Sequence, residues 1–401
     1  MKAAVLGYGT VGGGVVEVLF ENKDAIASRV GEEIEVKYIL DIRTFPGDRF
    51  EDKITNDFNR ILEDEEVKVV CETMGGLKPA YDFTKSLLEA GKSVCTSNKE
   101  LVAAHGPELL KIAKEHNCKY LFEASVGGGI PIIRPLLDCL TAEKIDEITG
   151  ILNGTTNYML TKMDKEGCDY ADVLKEAQDK GYAERNPEAD VEGYDACRKI
   201  AILASLNYQK TVNYEDIYTE GISAIDSRDF AYAATLGKNI KLLGMCKENG
   251  GKKYAMVAPF MLDSSNPLYA VNGVFNGILV HGNMVDKVMF YGRGAGKLPT
   301  ASAVVSDVVE EAKTIGKAST IVWSDEKLTL SDKNELEFSY FVRIGGSTDG
   351  SNYKELFADT EVVEKDGIAG EFAIVTGKMT EGDFLKKYES LKDAVKFIRI
   401  K

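Results

Sequence analysis

Histidine is scarce, cysteine shows no pairing pattern, and basic charge is in deficit; each shortage removes a class of function. The three histidines, His105, His116 and His281, are dispersed along the chain. A histidine-built metal centre is therefore set aside, and each ring is expected at the surface or hydrogen-bonded within the fold. The seven cysteines (Cys71, Cys95, Cys118, Cys139, Cys168, Cys197, Cys246) are odd in number and form neither zinc spacing nor a dense disulfide framework. They read as buried thiols of a reducing compartment. Lysine and arginine total 49 against 64 acidic residues, giving a net charge of −15 and a pI near 4.9. That balance argues against nucleic acid and anionic membrane surfaces as main partners, since both attract basic fields. An apolar run of membrane length, a basic leader and a cleavage-site pattern after Met1 are likewise missing, so the cytoplasm is the expected compartment.

What is present suffices for a large core: 401 residues, 44% of them hydrophobic, suggest two or three domains. The chain opens on an apolar strand, residues 2–6, that runs into Gly7-Tyr8-Gly9-Thr10-Val11-Gly12. Val15, Val16 and Leu19 then recur at helical spacing. Strand, glycine turn and helix are the context a dinucleotide fingerprint requires. Gly7 permits the tight turn, Gly9 lets the backbone approach a pyrophosphate, and Gly12 allows close helix packing. The phosphates would sit on the helix N-terminus. The next strand, 34–40, ends at Asp41, where an acid would hold the adenosine ribose of NAD, while Arg43 could meet the 2′-phosphate of NADP. These residues do not separate the two cofactors.

Strands at 67–71, 93–95 and 119–122 alternate with helices at 80–89 and 107–115, the rhythm of a Rossmann-type, doubly wound parallel sheet. Ligands lie at the loops after such strands. One loop is Glu72-Thr73-Met74-Gly75-Gly76, and another, Thr96-Ser97-Asn98-Lys99-Glu100, places Lys99 at a strand end near the nicotinamide position. A third, Glu123 to Pro131, supplies a carboxylate and exposed carbonyls that suit a hard cation or a tight turn. A helix is expected over 130–140. From residue 141 a second, α+β domain for substrate binding and dimerisation is expected, with strands at 145–152, 240–262 and 277–291 and a hairpin turn at Asn249-Gly250. Gly292 to Thr300, including Gly294, is a glycine-rich loop feeding a helix, suited to capping a cofactor or to a plain helix entry.

The densest chemistry lies in GYAERNPEADVEGYDACRKI, Gly181 to Ile200. Its first part lacks apolar periodicity and reads as a loop; a helix follows from near Gly193. Asp195 and Lys199 are four apart and share one face of that helix. A solvated ion pair is the plain interpretation. Ile202 and Leu203 continue the same face, which carries the pair toward an interior and marks a substrate site.

Six stretches together resemble the homoserine dehydrogenase family: GxGxxG at Gly7 to Gly12, TSNKELVA at Thr96 to Ala103, EASVGGGIP at Glu123 to Pro131, ILNGTTNY at Ile151 to Tyr158, GYAE…DVEGYDACRK ending at Lys199, and GRGAGKLPTASAVVSD at Gly292 to Asp307. They span roughly the first four-fifths of the chain. The resemblance implies NAD- or NADP-dependent interconversion of L-homoserine and L-aspartate 4-semialdehyde, in the branch leading to threonine, methionine and isoleucine. It implies Lys199 as acid/base group, Lys99 as the group polarising the oxygen, and Asp195 orienting Lys199 or a water. Glu184 and Asp190, with Tyr182 and Gly181, would hold the substrate ammonium. The cofactor residues implied are Gly7, Gly9, Thr10, Val11, Gly12, Asp41, Arg43, Ser97, Lys99 and Gly294. A structural monovalent cation, Na+, would be held at Glu123 with the carbonyls of Val126, Gly128 and Ile130. A homodimer or dimer of dimers is implied as well.

The chain departs from the family pattern at Arg185-Asn186, and more so in its last part. The resemblance and rhythm divide it into 1–140, completed by 300–318, then 141–299, and a small ferredoxin-like, ACT-like module at 328–401. That module is expected to use strands at 338–344, 371–376 and 394–400 and a helix at 381–391. Its usual ligand turn is not legible, residues 345–350 being polar and glycine-rich, so dimer contacts rather than feedback binding are expected of it. Two alternatives stand beside the main reading: another amino-acid dehydrogenase on this fold, and a non-catalytic dinucleotide sensor.

Overall fold

The computed structural model describes residues 1–317, 319–346, 351–357 and 359–401, with only the backbone of residues 351 and 352. The chain divides into two compact units: Met1–Glu143 with Ala201–Tyr214 and Phe290–Leu328, and Lys144–Ile200 with Glu215–Met289 and Thr329–Lys401.

The first unit is built on six strands: β1 (Lys2–Leu6), β2 (Glu35–Leu40), β3 (Ile54–Thr55), β4 (Val67–Glu72), β5 (Ser93–Thr96) and β6 (Tyr120–Leu121). Their order, β3-β2-β1-β4-β5-β6, is that of a dinucleotide fold, and all five pairings are parallel. Helices cover such a sheet, which is why β4 is buried at every position but one. Val15, Val16 and Leu19 of helix Thr10–Glu21 and Ala301, Val304 and Val308 of helix Lys297–Lys313 pack in one core with β1 and β4. The order reverses at β1 and β4, and the crevice beyond their C-terminal ends is the expected ligand position.

Two local expectations fail here for identifiable reasons. The helix expected to begin at Pro107 runs from Lys99 to Glu115, because the Asn98 side chain caps it by accepting from Leu101 N; Pro107 lies inside. The helix expected over 130–140 is reduced to a π-helical turn, Pro135–Cys139, closed by Leu140 N donating to Pro135 O. Five of the seven cysteines are buried, while Cys139 is exposed against expectation; none is in a disulfide.

The second unit centres on β7 (Ile145–Ile151), followed in chain order by β8 (Lys210–Thr211, in the first unit), β9 (Tyr218–Thr219), β10 (Lys238–Asn249), β11 (Lys252–Asp263), β12 (Phe275–Gly282) and β13 (Asp286–Arg293). After β14 (Ser324–Lys327, paired with β8) come β15 (Glu337–Gly345), β16 (Glu361–Val363), β17 (Glu371–Val375), β18 (Met379–Thr380) and β19 (Ala394–Ile400). The sheet order is β13-β12-β7-β10-β11-β19-β15-β17-β16. The hairpin between β10 and β11 turns on Gly250 and Gly251, both with positive φ, one residue beyond the expected step's start. β19 lies parallel to β11 and antiparallel to β15, so the last strand of the chain joins residues 328–401 to the sheet that holds β7, β10, β11 and β12. Residues 347–350 of the polar stretch lie outside the described residues. Among the described residues no helix is long and apolar enough to cross a membrane.

Candidate active site

At the end of β1 the backbone turns on Gly7, whose φ of +89° favours glycine and whose N–H donates to Leu40 O at 2.8 Å. A Cβ on Gly12 would stand 1.8 Å from Gly7 O, so the helix packs directly on the turn. A Cβ on Gly9 would meet nothing within 4 Å: this glycine borders open space at the N-terminus of helix Thr10–Glu21. Thr73 Oγ1 closes the turn from β4 by donating to Leu6 O at 2.8 Å and Gly7 O at 3.0 Å. A groove of about 420 Å³ begins here, lined by Tyr8, Gly9, Thr10, Gly13, Arg49 and Lys297. Glu17, Glu21 and Asp48 line it too, Arg49 pairing with Glu21 and Lys297 with Glu17, so what suits a pyrophosphate here is the helix N-terminus and the space beside Gly9.

Asp41 stands where expected, but its carboxylate is already engaged. It accepts from Tyr8 N at 2.8 Å and Arg43 N at 2.9 Å, and from Arg43 Nε and Nη2 at 3.0 and 2.9 Å. The Arg43 guanidinium, ahead of these backbone donors, holds it far below the usual carboxylate range. Arg43 is itself exposed and stacks over Phe45. An anionic acceptor and an exposed cation thus share the position where the cofactor ribose is expected.

The loops after β4 and β5 are joined through Glu72, which is fully buried. Its oxygens accept from Met74 N at 2.8 Å and Thr96 Oγ1 at 2.6 Å, and burial raises its pKa against these hydrogen bonds. Thr96 Oγ1 accepts from Asn98 N at 2.9 Å, and Asn98 Nδ2 donates to Gly76 O at 2.6 Å. Ser97 N reaches Glu72 O at 3.4 Å. Half-buried Lys99 opens the helix that follows. Glu72 and Asn98 stand in loops that the sequence marks, yet their joining role depends on strands 24 residues apart becoming neighbours.

The Glu123 carboxylate is committed to N–H donors. Its oxygens accept from Ile132, Ile133 and Arg134 N at 2.6, 2.8 and 2.8 Å, with Arg134 Nε at 3.4 Å. The carboxylate expected to help hold a cation is thus hydrogen-bonded to the chain segment that follows it. Gly128 and Gly129 pack on the glycine-rich loop: added Cβ atoms would stand 2.3 Å from Gly294 O and 2.8 Å from Pro299. Among the described residues no group of three or more His, Cys, Asp or Glu side chains is placed to hold a metal.

In the second unit helix Tyr194–Tyr208 begins after Gly193, whose φ is +82°. Lys199 Nζ donates to Asp195 Oδ2 at 2.6 Å and to Leu152 O at 2.8 Å. Lys199 is 9% and Asp195 6% exposed, which excludes the solvated-pair interpretation. An ammonium has three donors, so one N–H of Lys199 is left without an acceptor among the described residues. Asn153, to which sequence spacing assigns no role, donates from Nδ2 to Asp190 Oδ1 at 2.7 Å and Asp195 Oδ2 at 2.8 Å. Thr155 Oγ1 donates to Tyr182 O at 2.6 Å, and the Tyr158 and Tyr182 rings meet edge-on at 4.9 Å. Gly181 has φ of +73° and open space around it, and Glu184 is exposed. Asp190, Asp195 and Lys199 are thus brought together, with Tyr182 tied to the start of helix Gly154–Glu166.

Two family models match the chain: homoserine dehydrogenase, NAD binding domain, over residues 7–123, and homoserine dehydrogenase over 131–309. The homoserine dehydrogenase of Bacillus subtilis is 37% identical, covering 98% of this chain and 95% of that protein. That of Synechocystis is 38% identical over 100% and 99%. Among solved structures, a homoserine dehydrogenase from Thiobacillus denitrificans superposes with a TM-score of 0.90 at 32% identity, covering 100% of this chain and 98% of its own. A hyperthermophilic archaeal homoserine dehydrogenase in complex with NADPH matches with a TM-score of 0.66 at 27% identity, over 79% and 99%.

Proposed function

The chain belongs to the homoserine dehydrogenase family, and from that premise we propose that it interconverts L-homoserine and L-aspartate 4-semialdehyde with NAD or NADP. The observation that carries the assignment of roles is the buried Lys199 ammonium, held by Asp195 and Leu152 O with one N–H to spare. Bound NAD(P)H supplies the hydride. As the aldehyde carbon is reduced its oxygen becomes anionic, and Lys199 gives that oxygen first a hydrogen bond and then a proton. Asp195 keeps the ammonium oriented and offsets the cost of burying it. Lys99, at the start of its helix, keeps the role the family resemblance implies, that of polarising the carbonyl oxygen. Glu184 and Asp190, with Tyr182 and Gly181 shaping the loop, are assigned to the substrate ammonium, for which a carboxylate is the matching partner. In the reverse direction Lys199, having lost its proton to solvent, accepts the hydroxyl proton.

The cofactor assignment draws on the open space at Gly9, the N-terminus above Gly12, the Asp41–Arg43 pair, Ser97 and the loop at Gly294. A structural monovalent cation, Na+, is assigned to Glu123 with the carbonyls of Val126, Gly128 and Ile130. The three-part division of the chain, a cytoplasmic location, assembly as a homodimer or dimer of dimers, and an ACT-like contact role for 328–401 belong to the same proposal. The relatives favour neither the sensor nor another amino-acid dehydrogenase.

The test is consumption of NADPH and, separately, NADH by the purified chain with L-aspartate 4-semialdehyde. Lys199→Ala is expected to lower kcat by about 10²–10⁴-fold while dinucleotide binding persists. Wild-type turnover in that variant would remove Lys199 from the mechanism.

A further inference from the structure

We propose that Asn153 is the positioning residue of this site, its side-chain amide splinting Asp190 to Asp195 and so fixing the Lys199 ammonium. The proposal rests on the reading of Lys199 as the acid/base group. Asn153 is 6% exposed and precedes helix Gly154–Glu166, which it caps. Its Oδ1 accepts from Thr156 N at 2.9 Å and lies 3.1 Å from Thr156 Oγ1. That bond settles the orientation of the amide, because an N–H facing the Thr156 N–H would be repelled. Both hydrogens of Nδ2 are then turned to carboxylates, Asp190 Oδ1 at 2.7 Å and Asp195 Oδ2 at 2.8 Å.

Two consequences follow from sharing one nitrogen. Asp190, half-buried, and Asp195, buried, are close neighbours, and like charges at such range disfavour one another's ionised form. The two donors offset that repulsion. Asp195 Oδ2 also accepts both Asn153 and Lys199, so the amide sets the position of the oxygen that sets the lysine. The second acceptor of Lys199 is the carbonyl of Leu152, the adjoining residue. One dipeptide therefore locates the ammonium twice, by a main-chain oxygen directly and by a side-chain amide through Asp195.

A helix cap alone would explain the Oδ1 contact and nothing else. Asp caps as well as Asn, so Asn153→Asp keeps the cap and removes both donors. Asn153→Ser keeps a cap oxygen on a shorter side chain that cannot bridge two carboxylates. In steady-state kinetics of the full chain, both variants are expected to lose about 100-fold in kcat with KM for NADPH unchanged; Asn153→Ser keeps its thermal midpoint within a few degrees of wild type, whereas Asn153→Asp, which sets a third carboxylate against Asp190 and Asp195, melts lower. Wild-type kcat in either folded variant would overturn the splint. So would, in Asn153→Ser, a loss of kcat matched by raised KM for NADPH and a fallen melting point, which marks a general structural role. Lys199→Ala separates the two failures. If it retains turnover, the acid/base reading falls; if it is inactive while Asn153→Asp is not, the splint alone falls.

Discussion

Gly9 and Gly12 show how one residue type serves two physical purposes three positions apart. A methyl on Gly12 would overlap Gly7 O, 1.8 Å away, whereas a methyl on Gly9 would enter open space. Gly9 has φ of −87°, so it is not needed for backbone freedom. Gly12→Ala is expected to cost about 1–3 kcal/mol of stability through overpacking, read in urea unfolding, and to weaken dinucleotide binding as the turn shifts. Gly9→Ala should leave the unfolding midpoint unchanged and still weaken dinucleotide binding, read by fluorescence titration with NADPH. An equal loss of stability in both would contradict the distinction. Asn153 is the counterpart among polar residues: its amide bonds reach residues 37 and 42 positions away, so no local spacing announces them.

Strand β19 is the element on which the second unit's last third depends. Arg399, 1% exposed, meets both oxygens of buried Glu381 at 2.8 Å and reaches Glu220 at 2.7 Å. Glu381 opens helix Glu381–Glu389, where the helix dipole favours an anion, and also receives Lys333 at 2.6 Å. Arg399→Met strands this carboxylate with less compensation, and a loss of about 3–5 kcal/mol is expected in urea unfolding. Arg399→Met combined with Glu381→Met should recover much of that loss; a double variant no better than the single would refute the charge argument. The sequence made β19 itself legible, since Ala394 to Ile400 is rich in β-branched and aromatic residues, and likewise the β1 turn, helix Ala80–Glu89 and the Asp195–Lys199 face. It could not disclose that β19 enters beside β11, because Phe260 pairs with Arg399 from 139 residues away. Pro107 misled for a related reason: a proline is most at home in the first turn of a helix, but the Asn98 cap decides where this one begins.

Across the whole molecule, stability against pH is set partly by acids that folding removes from water, and Asp307 is the clearest of them. Burial pushes its carboxyl up to about 8; the nearby Glu123 charge adds to this, and Arg134 opposes it. Arg134 Nη2 stands 3.8 Å away, beyond hydrogen-bond reach, so desolvation prevails. In the unfolded chain the same carboxyl titrates near 3.9. The folded state therefore binds the proton more tightly, and the stability this provides is present in full below about pH 4 and lost progressively as pH rises to about 8. A net charge of −15 adds self-repulsion at high pH, but that term is nearly common to wild type and a single-site variant. Asp307→Asn keeps an oxygen to accept from Glu123 N, now 2.9 Å from Asp307 Oδ2, and has no proton to lose. Its melting temperature relative to wild type should rise steadily from pH 5 to pH 8 and level off above. A difference that is flat across that range, measured in matched buffers by scanning calorimetry, would mean that Asp307 titrates as it does in the unfolded chain and that the charges around it, rather than its burial, govern it.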